Sequence, residues 1–162
     1  MVKKLLVLVL GLAFALAAGP VRADSPNGTI SIELDSLSAI DNMRVSWVDG
    51  VLTFRGKTHP FKIKGLKTTV AGVRAFTAQG EVFNLRAASD LAGQYQKANP
   101  AGITSMAGQK GLVIRNDQGV VISLRVIKKR LLGKMRTIGE VLKREGVSLD
   151  LMPEGLTIQL VQ

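Results

Sequence analysis

The chain has 162 residues, of which 22 are basic and 12 acidic, and its formal net charge is +10 at pH 7. It has no cysteine and one histidine, His59, which excludes disulfides, thiol catalysis, Cys-ligated zinc and any site that needs two histidines. Carboxylates are few and no two are paired by their spacing, so the sequence predicts a protein that is not an enzyme and needs no metal or other cofactor. Catalysis by carboxylates that the fold brings together is the alternative.

Residues 1–23 have the pattern of a cleaved secretory signal peptide. Lys3 and Lys4 precede an apolar run from Leu5 to Ala18, and small residues follow. The run is shorter than the roughly 20 residues that a helix needs to span a bilayer, which favours cleavage over anchoring. We therefore expect export to the periplasm, with secretion as the alternative, and a single mature domain over residues 24–162.

The positive charge survives removal of this leader, because the mature chain keeps 19 basic and 12 acidic residues and a net charge of +7. In a cytosolic protein such an excess would point to nucleic acid. An exported protein instead meets anionic lipid headgroups, lipopolysaccharide phosphates and cell-wall polymers. The charge therefore predicts an anionic partner and no nucleic acid, and the alternative is that it only maintains solubility.

Apolar and polar residues alternate early in the mature chain, as they do in half-buried strands. One series covers residues 30–34. Another covers residues 61–64, in which Lys62 and Lys64 share the face opposite the apolar side chains. Asp49–Gly50 is predicted to be the turn of a hairpin, because both residues tolerate the positive φ of a tight turn.

Proline and glycine mark strand starts and bends further along. Pro60 is predicted to begin its strand because it has no N–H to donate to a neighbouring strand. The β-rich stretch of residues 70–85 contains Gly80, where a bulge or bend would let the strand curve. Residues 87–92 are predicted to form one helical turn, followed by a strand over residues 94–98.

Two further hairpins are predicted in the second half. The sequence Asn116–Gly119 suits a turn between strands over residues 112–115 and 120–127. Strands over residues 147–151 and 156–160 are predicted to pair around a turn that contains proline and glycine.

The spacing of apolar residues becomes helical after Ile127, where four of them stand three or four positions apart: Leu131, Met135, Ile138 and Leu142. Because glycines interrupt this segment, we predict one short helix, capped by Thr137 and ended by Gly146. About ten short strands with one helix near the C-terminus favour a mainly β fold, a small antiparallel barrel or sandwich. Closure into a barrel would remove exposed sheet edges.

Two groups of basic residues are the candidate site for lipid or another anion: Lys62, Lys64 and Lys67 in the first group, and Lys128, Lys129 and Arg130 in the second. A basic segment with an apolar stripe is typical of reversible binding to an anionic membrane, where each Lys or Arg contributes about 1 kcal/mol. The alternative is a basic helix that packs on the barrel with its charges in water.

Four stretches of the chain resemble the EipA-like family of small periplasmic envelope-integrity proteins: residues 52–62, 80–85, 89–95 and 116–124. The resemblance covers roughly residues 45–124. It implies a small conical β-barrel related to SYLF-type lipid-binding domains, a non-enzymatic part in envelope maintenance, and no catalytic residues. Residues 128–146 depart from it, because they are longer and more basic than the strand expected there.

These observations lead to two functional hypotheses. The first is a periplasmic barrel that binds anionic lipid or a membrane surface and supports envelope integrity. The second is a structural or interaction module that binds a protein or cell-wall partner without touching lipid.

Overall fold

The computed structural model describes residues 25–34, 40–41, 44–68, 73–99, 111–131 and 149–162. These residues form one turn of 3₁₀ helix, Ala88–Leu91, and twelve strands. The strands are β1 Gly28–Leu34, β2 Ile40–Asp41, β3 Arg44–Val45, β4 Val48–Phe54, β5 Lys57–Lys64, β6 Leu66–Thr68, β7 Val73–Phe83, β8 Gly93–Lys97, β9 Leu112–Asn116, β10 Val121–Leu131, β11 Leu149–Leu151 and β12 Leu156–Leu160. The predicted signal peptide and the predicted helix between Thr137 and Gly146 lie outside the described residues.

Eight strands close into an antiparallel barrel in the order β1-β4-β5-β12-β8-β9-β10-β7. The other four form a small second sheet in the order β11-β6-β3-β2. The prediction of a mainly β fold built on an antiparallel barrel is therefore confirmed. The chain closes the barrel out of sequence order, because its last strand lies between β5 and β8.

Alternating side chains fill the barrel interior. In β1 and β4 every second residue is buried, and the residues between them are exposed. A barrel of eight strands is just wide enough to be filled by its own side chains, and here Phe61, Tyr95 and Ile122 are fully buried. The same hydrophobic cluster includes Leu66 and Leu149 of the second sheet, so the two sheets share one core.

The first predicted turn is wrong, because Asp49 and Gly50 both lie inside β4. Gly50 pairs with Phe61 across the sheet, and a Cβ atom on Gly50 would overlap the ring of Phe61. The glycine is thus required by packing inside the barrel. The hairpin between β4 and β5 turns instead at Arg55 and Gly56, with φ values of 51° and 74°, as a tight two-residue turn requires.

Substitution of Gly50 tests this packing. We expect Gly50→Ala to lower the free energy of unfolding by about 2 kcal/mol, because the Phe61 ring must move within a filled core. Gly28→Ala is the matched control, since a Cβ atom on Gly28 would meet its neighbours at ordinary van der Waals distances of 3.4–3.5 Å. In a Phe61→Leu background the cost of Gly50→Ala should shrink. Equal costs of Gly50→Ala with and without Phe61, measured by urea unfolding, would contradict this explanation.

Pro60 is the fourth residue of β5, so the prediction that it begins the strand is also wrong. Its carbonyl accepts a hydrogen bond from the N–H of Val161, at 3.0 Å, just past the end of β12. In an antiparallel pair the N–H and C=O of one residue point to the same neighbour. The missing N–H of Pro60 therefore costs one bond at the margin of the sheet, where it is tolerated.

The predicted bulge at Gly80 is absent, because the register of β7 runs unbroken through Gly80 against both β1 and β10. Glycine is needed there since a Cβ atom would lie 2.9 Å from the carbonyl oxygen of Ser123. The register shifts occur in β10 instead, between Val126 and Lys128 and again at its end.

The first of these shifts explains why the sequence predicted that the strand ends at Ile127. An extra residue in a bulge interrupts the alternation of buried and exposed positions. The two-residue alternation of apolar and polar residues therefore stops after Val126, although the backbone continues as a strand. Residues 128–131 continue β10, and the prediction that a helical face already includes Leu131 is wrong.

The predicted final hairpin is wrong as well, although both of its strands exist. β11 pairs with β6 in the second sheet, whereas β12 pairs with β5 and β8 in the barrel. The turn between them carries the chain from one sheet into the other. By contrast, the helical turn at Ala88–Leu91, the strand β8 and the hairpin of β9 and β10 are all confirmed.

Candidate anion-binding end of the barrel

The two ends of the barrel differ. One, the turn end, carries the tight turns at Arg55–Gly56 and Asn116–Gly119 and the 3₁₀ helix. The other, the cap end, is where β1 finishes and β4 begins, and it carries the second sheet. The candidate basic residues can therefore be placed by the end at which they lie.

A buried polar network closes the turn end. The hydroxyl of Tyr95 donates to the carbonyl of Leu91 at 2.7 Å, and burial raises the pKa of this phenol well above its ordinary value. Asn116 is 5% exposed. Its side chain donates to the Asp90 carbonyl and to the Tyr95 hydroxyl and accepts from the backbone N–H groups of Gln118 and Val120. Each polar group in the network has a partner within the fold, so its role is structural.

Lys62 and Lys64 lie on the outer face of β5, as predicted, but their surroundings differ. Lys62 forms an ion pair of 2.8 Å with Asp49, which offsets its charge. The Lys64 ammonium lies 5.8 Å from the ring centroid of Trp47, within reach of a cation–π interaction. Trp47 is the only tryptophan of the chain and is 40% exposed. Lys64 therefore presents its charge beside an exposed aromatic ring.

Lys67 belongs to the second sheet and shares a carboxylate with a lysine of the barrel. Its ammonium lies 3.7 Å from Asp150 on β11, and the ammonium of Lys97 on β8 lies 2.6 Å from the same carboxylate. The hydrogen bond from Lys97, helped by the charges of both lysines, holds the pKa of the Asp150 carboxyl below its usual value. Sequence reasoning missed Lys97 and Asp150, because only the folded chain brings β8, β6 and β11 together.

The register places both basic groups at the cap end. On one side of the barrel, Leu34 of β1 pairs with Phe76 of β7, which pairs with Lys129 of β10. On the other side, Val48 of β4 pairs with Ile63 in the strand that carries the first group. Since β1 and β4 are antiparallel neighbours, the end of one and the start of the other lie together.

Strands β5 and β10 stand four places apart in the ring of eight. The two basic groups therefore lie on opposite sides of the cap end and do not form one continuous patch. Lys128, Lys129 and Arg130 occupy backbone positions in β10 opposite residues 75–77 of β7. Ile127, immediately before them, is an exposed apolar residue that sequence reasoning also left out of the site.

Other kinds of site find little support in the part of the chain that the structure describes. Within the described ranges no three or more His, Asp or Glu side chains lie close enough to hold a metal ion. None of the helical residues described there form a segment long and apolar enough to cross a membrane.

The shared ion pair predicts a pH-dependent contribution to stability. Because the pKa of folded Asp150 lies below its ordinary value of 3.8, the pair stabilises the fold fully above that pH and loses its contribution as the pH falls through the lowered pKa. Asp150→Asn should therefore cost up to about 1 kcal/mol at pH 7 and progressively less below about pH 4. Urea unfolding across this pH range measures the difference. Asp49→Asn, which breaks a more exposed pair, is the control, and a cost of Asp150→Asn that ignores pH would contradict the assignment.

Comparisons of the chain with protein-family models, with curated proteins and with solved structures found no match. The resemblance to the EipA-like family accordingly stays a prediction from the sequence.

Proposed function

We propose that this chain is a non-enzymatic periplasmic protein that supports the cell envelope by binding anionic lipid through the cap end of its barrel. The observation that carries the proposal is the placement of two basic groups on opposite sides of the same end of the barrel, where Lys64 also lies beside the exposed Trp47. The resemblance to EipA-like proteins and the predicted leader support the same function and location.

The side chains at the cap end suit a membrane surface. Lysine places its aliphatic stem along apolar surface and its ammonium among phosphates, and tryptophan favours the boundary between headgroups and acyl chains. The pairing of Lys64 with Trp47 offers both features in one place, and Ile127 offers an apolar side chain beside the second basic group. Several such residues, each contributing about 1 kcal/mol, hold a protein reversibly at an anionic membrane.

The filled interior favours a lipid surface over an enclosed ligand. Inward-facing residues such as Ile32, Leu52 and Ile114 are fully buried by their neighbours inside the barrel. A barrel of this size has room for side chains or for one small ligand, but not for both. Binding is therefore proposed at the outside of the cap end.

Cosedimentation with vesicles tests the proposal. The chain is expressed with its leader, purified from the periplasmic fraction, and mixed with phosphatidylcholine vesicles that contain or lack phosphatidylglycerol. We expect binding to the mixed vesicles alone, and a steep decline as salt screens the charges. Equal or negligible binding to both kinds of vesicle would exclude the proposed function.

A groove on the barrel wall favours the second candidate, a module that binds a protein or cell-wall partner. It measures about 510 Å³ and is lined almost entirely by polar residues of β8, β9 and the following turn: Gln94, Gln96, Lys97, Arg115, Asn116, Asp117 and Gly119. Amide and charged groups of this kind bind hydroxyls and carboxylates. Pull-down of one defined partner from envelope extracts, by a variant that no longer binds vesicles, would favour this function.

A further inference from the structure

We propose that Asp150 is a built-in counter-charge that limits how strongly the cap end binds anionic lipid, because its carboxylate holds Lys67 and Lys97 away from the phosphates. The inference rests on the proposed function and concerns the regulation of the same site. It adds Asp150 and Lys97 to the residues that determine affinity.

The Asp150 carboxylate lies within ion-pair distance of two ammonium groups, those of Lys67 and Lys97. Asp150 lies opposite Lys67 in the register of β11 and β6, and Lys97 reaches it from the end of β8 in the barrel. The Asp150 side chain is 28% exposed, whereas those of Lys67 and Lys97 are 38% and 64% exposed. The acid is thus the least accessible member, and both lysines can be reached from solvent.

The carboxylate is also fixed more firmly than its partners. The N–H of Leu151 donates to Oδ1 of Asp150 at 2.8 Å, which ties the acid to its own backbone. The two lysines are held only by exposed ion pairs, which are weak in water. A lipid phosphate can therefore draw the lysines toward itself, but it must compete with Asp150 to do so.

There is room for such a competitor beside Lys97 and Asp150. A groove of about 350 Å³ runs between the second sheet and the barrel, with Lys97 and Asp150 on its wall and Leu112, Val113 and Leu149 around them. A phosphate that enters this groove would meet the Lys97 ammonium where it pairs with the Asp150 carboxylate.

The test compares two substitutions of equal charge at opposite ends of the barrel. Asp150→Asn removes the counter-charge and keeps the oxygen that accepts from Leu151. Asp117→Asn makes the same change in the exposed turn after β9, and among the described ion pairs Asp117 pairs with neither Lys67 nor Lys97. In vesicles of phosphatidylcholine and phosphatidylglycerol, we expect Asp150→Asn to raise the partition coefficient about fivefold and Asp117→Asn to leave it nearly unchanged.

Lys97→Gln distinguishes two explanations of a gain in binding: release of Lys97 from Asp150, and the change in the net charge of the protein. If Asp150 restrains Lys97, then Lys97→Gln weakens binding more in the Asp150→Asn background than in the wild-type chain. Asp150→Ser, which also removes the carboxylate, should reproduce the gain of Asp150→Asn, and circular dichroism verifies that each variant keeps its strands.

The outcomes separate the inference from the function on which it rests. Two outcomes overturn the inference alone, provided that the wild type binds anionic vesicles. One is the absence of a gain in binding in folded Asp150→Asn or Asp150→Ser. The other is an equal gain in Asp117→Asn. No binding by either the wild type or the Asp150 variants overturns both. Wild-type binding that increases in both folded Asp150→Asn and folded Asp150→Ser, without a gain in Asp117→Asn, supports the inference.

Discussion

Replacing Asn116 by alanine is expected to lower the free energy of unfolding by about 3–5 kcal/mol. The side chain accepts at 3.0 Å from the N–H groups of Gln118 and Val120 and donates at 2.9 Å to the carbonyl of Asp90. Alanine has no side-chain amide to bond to these backbone groups, and each buried backbone group that is left unpaired costs about 1–3 kcal/mol. Most small domains have only 5–15 kcal/mol of stability, so the variant will be close to unfolding at room temperature.

Urea unfolding, followed by circular dichroism, measures this loss. Asp117→Ala in the same turn is the matched control, because Asp117 is exposed, and it should change stability by less than about 0.5 kcal/mol. Tyr95→Phe removes only one hydroxyl from the network and should fall between the two. A loss below about 1 kcal/mol for Asn116→Ala would show that the turn end does not depend on this network.

Reversing the charge of Lys128, Lys129 and Arg130 to glutamate is expected to abolish measurable binding to anionic vesicles. Removal of three favourable charges costs about 3 kcal/mol, roughly a hundredfold in affinity, and the new carboxylates add repulsion. The three positions are at the end of β10, opposite residues 75–77 of β7, and circular dichroism verifies that the triple variant keeps its strands. Cosedimentation across a range of salt concentrations measures the effect.

A reversal of equal size at the turn end is the control for net charge. Arg55, Lys57 and Arg86 all lie at that end or next to it. Changing these three residues to glutamate alters the total charge by the same amount, but it should weaken binding far less. Equal losses from the two triple variants would indicate general attraction to a basic protein, and the cap end would no longer be the binding surface.

Much of the barrel could be predicted from the sequence because half-buried strands have a local signature. The alternation in residues 30–34 and 61–64 identified β1 and β5 and assigned Lys62 and Lys64 to the outer face. The turn chemistry of Asn116–Gly119 identified the hairpin of β9 and β10. These features depend on neighbours in the chain, so periodicity and turn preference were sufficient.

The misplaced elements depend on partners that are distant in sequence. Asp49–Gly50 has the residues of a turn, but Gly50 is explained only by the ring of Phe61 across the sheet. β12 lies between β5 and β8 whereas β11 pairs with β6, and no local pattern indicates that these consecutive strands belong to different sheets. The end of β10 could not be predicted, because the bulge after Val126 interrupts the alternation of apolar and polar residues without ending the strand.

The candidate site shows the same division. Single basic residues were visible in the sequence, but their pairing was not. Asp49 offsets Lys62, and Asp150 holds Lys67 together with Lys97, through registers that form only when the barrel closes. The one useful signal that was overlooked is composition: a chain with a single tryptophan, Trp47, exposes it beside Lys64.

That tryptophan provides the most direct test of membrane binding by the cap end. Because Trp47 is the only tryptophan, its fluorescence reports on this end of the barrel alone. On addition of vesicles that contain phosphatidylglycerol, we predict a blue shift and quenching by lipids brominated near the headgroup, as the indole leaves water. Vesicles of phosphatidylcholine alone should produce neither effect. An emission spectrum that stays unchanged while the protein sediments with anionic vesicles would place the contact elsewhere on the molecule and contradict the account.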